Sequence, residues 1–291
     1  MSNVGLNVGL EALLTAQSAL DTIGHNISNA NTPGYSRQTL HVSASRPLKL
    51  RGLMVGNGVK ADSILRTVDE LLGRRIVGRV ASMQRFDASL AGMTRVEALL
   101  GEPGGFGLGG LIDEVFGRFS DLSSNPEDLV LRTGVTQSLN KITTQFQALT
   151  SDLVQIAEDS QEHVISATTQ VNVLAQQIVA LNREIAEIES SDVVANDLRD
   201  QRDETLRKLA EQIDITYHEG ENGAIRVLVA GQLLVGSRTS NALEARRNED
   251  GDTELWLAGS TQPVEPQGGQ IGGWVALTRE FVPELGAKLD R

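Results

Sequence analysis

Three groups of residues have types and spacings that chemistry could use. Gly105-Phe106-Gly107-Leu108-Gly109-Gly110 spells a Gly-x-Gly-x-x-Gly string. Such a string cradles a pyrophosphate where a strand runs in, a helix runs out and an acidic residue closes the next strand. Helical patterning stands on both sides here, which argues against a dinucleotide site. Asp197, Asp200 and Asp203 lie three apart, interleaved with Arg199 and Arg202. Local ion pairing on a solvated helix face accounts for them, and no His or Glu converges on them in the local sequence to complete a metal set. His25, His41, His163 and His218 have no ligand spacing, and no Gly-x-Ser-x-Gly elbow places a nucleophile. Cysteine is absent, which removes disulfides, thiolate metal sites and cysteine nucleophiles together. The expectation is no catalytic, cofactor-binding or metal-binding residue, and no enzyme.

The elements that would have positioned such residues carry more information. The 291 residues suffice for one large or two modest domains, and 40% hydrophobic with 22% charged content describes a folding chain. Aromatic content of 3% suits long helices packed through aliphatic stripes. A net charge of −12 repels phosphate backbones and anionic lipid, so no nucleic acid and no membrane is expected as a partner. Residues 163–182 lack charge, but Ser166, Thr168, Thr169, Gln170, Asn172, Gln176 and Gln177 disqualify them as a membrane span. The N-terminus has no basic run followed by an unbroken apolar stretch, so it does not read as a cleavable secretory signal.

Helical periodicity starts at once. Steps of four and three from Leu6 reach Leu10, Leu13, Gln17, Leu20, Gly24 and Ile27, with Leu14, Ala16 and Ile23 beside them. Asn3, Gly5, Asn7, Gly9, Gly24 and Asn26 are poor helix formers on this segment. It reads either as a core helix docked in its own domain or as a segment that becomes helical when a partner covers the seam. Asn29-Ala30-Asn31-Thr32-Pro33-Gly34 ends the run in a turn.

Residues 35–60 carry weak, loop-like signals, with a possible short strand at Thr39–Ser43. A second helix is expected over 62–100, on a stripe of Leu65, Val68, Leu72, Ile76, Val80, Met83, Phe86, Leu90, Met93 and Leu100. A glycine-rich loop, then a short helix carrying Leu111, Val115, Phe116, Phe119 and Leu122, lead to Asn125-Pro126. The strongest pattern follows. Val135, Leu139, Ile142, Phe146, Leu149, Leu153 and Ile156 form a heptad seam, Ser160 and Val164 shift its phase, and Ala167, Val171, Leu174, Ile178, Leu181, Ile185 and Ile188 resume it. Its expected partners are the 62–100 helix and a returning helix. A further helix is expected over 196–212. The period then falls to two, giving short strands near 214–217, 224–230, 232–236, 243–246 and 254–257, with turns at Asn222-Gly223 and over 248–252. Residues 267–273 read as flexible, and 274–289 begin another helix.

Several stretches of the sequence carry a resemblance. Gly9-Leu10-Glu11-Ala12-Leu13, Ala16-Gln17-Ser18-Ala19-Leu20 and residues 25–35, His-Asn-Ile-Ser-Asn-Ala-Asn-Thr-Pro-Gly-Tyr, resemble the N-terminal signature of bacterial flagellar axial proteins. Ser36-Arg37-Gln38, Leu122-Ser123-Ser124-Asn125-Pro126, Val171-Asn172, Leu181-Asn182 and the block Asn196-Asp197-Leu198-Arg199-Asp200-Gln201-Arg202-Asp203 are similar to the hook-associated protein 1 family. The resemblance implies a mainly α protein with a small β-rich domain, elongated and built from long heptad-patterned helices. It implies a structural subunit at the hook–filament junction, secreted through the flagellar type III export apparatus and assembled by coiled-coil packing of terminal helices. The partners it implies are further copies of the chain in a ring, the hook protein, the second hook-associated protein and the export apparatus. Another hook or rod component, or a soluble coiled-coil adaptor, is the alternative. No cofactor and no small-molecule substrate belongs to this picture.

By position the resemblance carries Asn26, Asn29, Asn31, Pro33, Gly34, Tyr35, Arg37 and Gln38 to the turn that leaves the inner helix. Leu6, Leu10, Leu13, Leu20, Ile23 and Ile27 are the expected assembly interface. The expected segments are 1–35 (inner helix and turn), 36–213 (helical rod), 214–266 (β-rich outer domain) and 267–291 (start of a returning helix). The family continues into a C-terminal heptad segment, so a chain ending at Arg291 is expected to be a fragment or a truncated reading frame.

Overall fold

In a computed structural model, residues 4–50, 52–100, 107–191, 193–220, 222–248 and 251–289 are described. The elements run α1 (Val4–Ser28), β1 (Gln38–Ala44), β2 (Leu48–Leu50), β3 (Leu53–Val55), β4 (Val59–Arg66), α2 (Glu70–Leu100), α3 (Leu108–Ser124), α4 (Leu129–Glu189) and α5 (Asn196–Gln212). Then come β5 (Thr216–Glu219), β6 (Ile225–Val229), β7 (Gln232–Val235), β8 (Leu243–Arg247), β9 (Thr253–Leu257), β10 (Pro263–Val264), α6 (Gly269–Ala276), a π-helical turn (Leu277–Phe281) and α7 (Val282–Leu289). The described residues are mainly helical, with small antiparallel sheets. Two compact units divide the chain: Met1–Val80 with Val171–Ala210 and Ile215–Ala242, and Ala81–Gln170 with Glu211–Asp214 and Leu243–Arg291.

Local chemistry sets the helix starts. Asp69 Oδ1 accepts the Leu72 N–H at 3.0 Å, and Asp128 Oδ1 accepts the Val130 N–H at 2.7 Å, so each aspartate caps the helix that follows it. From Asp128 the chain makes one helix of 61 residues, about 90 Å at 1.5 Å per residue. Leu149, Leu153, Ile156, Ser160, Val164, Ala167, Val171, Leu174, Ile178 and Ile185 along it are all buried, the two phase-shifting positions included. Ser160 keeps its hydroxyl satisfied by donating to the Ile156 carbonyl at 2.6 Å.

In the first unit, β1 and β4 pair antiparallel from Gln38↔Arg66 to Ala44↔Val59, with a bulge between His41 and Val42. Residues 62–66, expected to open the second helix, are therefore strand. Leu65 and Val68 fit a helical stripe, but pairing with a strand some twenty residues upstream decides the matter, and helix begins only after the Asp69 cap. The stretch read as loop also holds the β2–β3 hairpin. The C-terminal third of α4, α5 and the sheet β5-β6-β7 supply the buried Ile178, Ile185, Leu206, Leu209, Val227, Val229 and Leu234. Buried Asn182 on α4 acts as an extra strand beside β6: its Nδ2 donates to the Ile225 carbonyl at 2.8 Å and its Oδ1 accepts the Ile225 N–H at 3.0 Å.

In the second unit, α2 and α4 are joined by Arg95 and Asp159 at 2.8 Å, and α4 meets α6 where His163 stacks on Trp274 with centroids 4.6 Å apart. The face that α2 buries in this unit is its small one, Ala81, Ala88 and Val96, whereas Met83, Phe86 and Leu90 of the expected stripe are exposed. Small residues permit the close approach of α6: a Cβ on Gly273 would lie 2.5 Å from the Arg85 carbonyl oxygen. Residues 269–273, read as flexible, are instead helical and buried but for Gln270. Their glycines signal tight packing rather than mobility.

The stretch 214–266 carries two separate three-stranded sheets, β5-β6-β7 in the first unit and β10-β9-β8 in the second. The expected hairpin turns at Asn222-Gly223 and between β8 and β9 are present; Glu249 and Asp250 lie outside the described residues. Gly105 and Phe106 of the glycine string also lie outside them, while Leu108 already belongs to α3.

Candidate assembly interface

The N-terminal helix is docked by its polar side. Val8, Glu11, Thr15, Ser18, Thr22 and His25, continued by Asn29 just past its end, recur at helical spacing and are among its less exposed residues. Glu11 Oε2 accepts the Ser45 hydroxyl at 2.7 Å, Val8 lies against Gly58, and the Thr15 hydroxyl reaches the Val59 carbonyl at 3.4 Å. The apolar seam is left outward. Leu6, Leu10, Leu13, Leu20, Ile23 and Ile27 are between 53% and 72% exposed. The amphipathic helix of a monomeric globule turns its apolar face inward; here that face is open to solvent.

A polar clamp holds the end of that helix. Asn26 Oδ1 accepts the Tyr35 hydroxyl and the Gln38 N–H, each at 2.8 Å, and its Nδ2 donates to the Gln38 carbonyl at 2.8 Å. One side chain thus folds twelve residues of chain back on themselves. Between these anchors the Tyr35 N–H donates to the Thr32 carbonyl at 3.2 Å, closing a turn with Pro33 second and Gly34 third. Gly34 has φ +81°, the left-handed geometry that a type II turn demands at that place. Asn29 Nδ2 donates to the His25 carbonyl at 3.1 Å and its Oδ1 accepts the Thr32 hydroxyl. The Arg37 carbonyl accepts the Thr67 N–H at 2.8 Å while its side chain is exposed. The Asn31 side chain is exposed and forms no hydrogen bond among the described residues.

The clamp is completed by α5, and here the reading of the aspartates needs correction. They do not pair locally with Arg199 and Arg202. Asp197 Oδ1 accepts Gln38 Nε2 at 2.6 Å and lies 3.3 Å from His25 Nε2. Asp200 is buried, accepts the Ser36 N–H at 2.7 Å, and meets Arg66 Nη1 at 2.9 Å, which also reaches Asp203 at 2.6 Å. Arg199 instead grips Glu189 at 2.6 and 2.8 Å and Glu219 at 2.7 Å. Arg202 is wholly buried, donating to the Gly223 carbonyl at 2.6 Å and to Asn182 Oδ1 at 3.2 Å. At about 100° per residue the aspartates and arginines centre on faces over 100° apart, a separation legible in the sequence.

Electrostatics follow the packing. Burial, then the carboxylates of Asp197 and Asp200, push the Tyr35 hydroxyl above its usual value, so it stays a donor to Asn26. The Arg199 hydrogen bonds hold the Glu189 carboxyl below the usual range, aided by the Ala195 N–H. Burial lowers the Arg202 guanidinium, with Glu219 opposing. Among the described residues no three His, Asp or Glu side chains gather closely enough to hold a metal ion.

The described residues thus combine an outward apolar seam, a polar clamp at its end and long packed helices. Residues 6–35, the seam and turn, match the family model described as flagella basal body rod protein. Residues 93–291, more than half of the chain, match the model described as flagellar hook-associated protein FlgK helical domain, and the chain belongs to that family. It is 26% identical over 227 residues to flagellar hook-associated protein 1 of Bacillus subtilis (strain 168), covering 76% of this chain and 45% of that protein. To the protein of the same name from Salmonella typhimurium it is 28% identical over 245 residues, covering 82% and 44%. The chain therefore spans somewhat under half the length of these relatives. Its fold is similar to that of the flagellar hook junction protein FlgK from Burkholderia pseudomallei, with a TM-score of 0.64 at 22% identity, over 76% of this chain and 41% of that one.

Proposed function

We propose that this chain is a structural subunit of the junction between the bacterial flagellar hook and its filament, working outside the cell. In this reading the subunit is exported by the flagellar type III apparatus and joins further copies of itself in a ring. The hook protein lies on one side of that ring and the second hook-associated protein on the other. The observation that carries the reading is the inverted α1, whose polar face is anchored while Leu6, Leu10, Leu13, Leu20, Ile23 and Ile27 stay uncovered. Helices from neighbouring subunits would cover that seam, with each side chain contributing about 1.5–3 kcal/mol when fully buried. The Asn26–Gln38 clamp sets the angle at which the helix leaves the body of the subunit, so seam and body reach their neighbours in one geometry. The match to residues 93–291 favours the junction subunit over a hook or rod protein, whereas the match to 6–35 is common to the axial class.

Leu13→Asp tests the reading in motile cells. The variant is expected in the medium as folded protein, with hooks that carry no filament. Filaments attached as in the parent strain would overturn the seam assignment.

A further inference from the structure

Between Asp21 and Asp62 the chain has no acidic residue, while Arg37, Arg46, Lys49, Arg51 and Lys60 give that stretch +5. The whole chain carries −12, so everything outside the stretch carries −17. At the centre of this basic island stands the β2–β3 hairpin, paired Leu48↔Val55 and Lys49↔Met54. Two strands of three residues are marginal in water without a cover, and both edges of this pair are open. Leu53 and Met54 are 71% and 68% exposed, so both apolar side chains are open to solvent. Among the described residues, neither Arg46 nor Lys49 forms an ion pair, although Lys60 does, with Asp62 at 3.2 Å. An acidic surface with an apolar floor is the chemical complement of a basic hairpin with exposed Leu53 and Met54.

The same unit offers one. A cavity of about 590 Å³ lies where the 32–35 turn, α4 and α5 meet, with Glu184, Asp197 and Glu204 around it and Leu181 and Pro33 as its apolar part. Lys208 is the lysine in its wall. Asp197 and Glu204 have partners within the chain, but Glu184 is exposed and forms no ion pair among the described residues.

We propose that the β2–β3 hairpin of one copy docks into this acidic cavity of a second copy, with Lys49 facing Glu184 and Leu53 and Met54 covering Leu181 and Pro33. The two patches differ, so the contact is heterologous and repeats head to tail, closing into a ring or continuing as a helical row. The charge pairing steers the approach and sets the register, while the apolar tip supplies the buried area. The proposal rests on the junction reading in requiring copies to meet, but it assigns the meeting to residues outside the α1 seam.

Isotope-labelled and unlabelled chains are mixed at high concentration and treated with a water-soluble carbodiimide. The reagent activates a carboxylate, which then forms an amide with a lysine amine and releases the spent reagent as its urea. The expected product is a Lys49–Glu184 cross-link in which one peptide is labelled and the other is not. It should fade at about 0.5 M salt, where screening acts over about 4 Å. Lys49→Glu should weaken self-association about tenfold, as loss of a steering charge pair does, and adding Glu184→Lys should restore it. Lys49 cross-links confined to one copy, or association of Lys49→Glu equal to the parent's, would overturn the docking. So would failure of the reversed pair to recover. Leu13→Asp in the same assay separates the two readings. If it abolishes association while Lys49→Glu does not, the hairpin docking fails and the seam stands; if the parent does not associate at any concentration, both fail.

Discussion

Gln38 Nε2 donates to Asp197 Oδ1 at 2.6 Å across 159 positions of sequence. That bond, with Ser36 N–H to Asp200 at 2.7 Å and Arg66 to Asp200 and Asp203, ties the exit of the N-terminal helix to α5. The helix is thereby held by one end and its polar side, and the seam faces away.

Arg66→Ala should cost about 3 kcal/mol or more, because it leaves the buried Asp200 carboxylate without its cation. Chemical denaturation followed by helical circular dichroism checks this. Arg37→Ala, whose side chain is exposed, should fall within about 0.5 kcal/mol of the parent.

Gly273→Ala should destabilise by about 1–3 kcal/mol, since the new methyl would meet the Arg85 carbonyl oxygen at 2.5 Å and Ala88 Cβ at 2.7 Å. Gly117→Ala on α3 is the contrasting case. Nothing lies within 4 Å of its Cβ, so removing backbone freedom from a helix interior should stabilise by about 0.5–1 kcal/mol. Paired thermal melts read both signs.

Acid should loosen the Glu189–Arg199 link. The folded carboxyl lies below its ordinary 4.5, chiefly through the Arg199 hydrogen bonds, so the link's contribution is complete above 4.5. It is lost as pH falls through the lower folded value. Glu189→Gln should flatten the stability–pH curve in that acid range and lower stability at neutral pH. A curve of unchanged slope would contradict the assignment.

Amide exchange should divide the helices sharply. Among the described residues the seam side of α1 is exposed, whereas α4 keeps one face buried from Leu149 to Ile185. Residues 4–28 in the isolated chain should therefore exchange orders of magnitude faster than residues 149–185. Equal protection would mean that α1 is docked more firmly than its exposed seam implies.

Local patterns are legible in the residues themselves. The α1 seam, the Thr32–Tyr35 turn, the Val135–Ile188 rod and the Asn222-Gly223 hairpin all depend on residues within a few positions of one another, where periodicity and turn chemistry act directly. The strand at residues 62–66 is hidden because Leu65 and Val68 suit a helix equally well, and only β1, far upstream, chooses between the two. The Gly268–Gly273 run reads as mobile for the same reason: a glycine that loosens a chain and one that admits a neighbouring backbone are identical until the neighbour arrives.

The sequence by itself determined that long helices would form and that the first would carry an apolar stripe. Tertiary structure decided which face of that helix is held, because anchoring is done by Ser45, Val59 and Asp197, residues 34 to 172 positions away from the side chains they meet on α1. Amphipathicity is a property of a single segment, whereas orientation is a sum over distant polar partners. That sum turns the leucines outward.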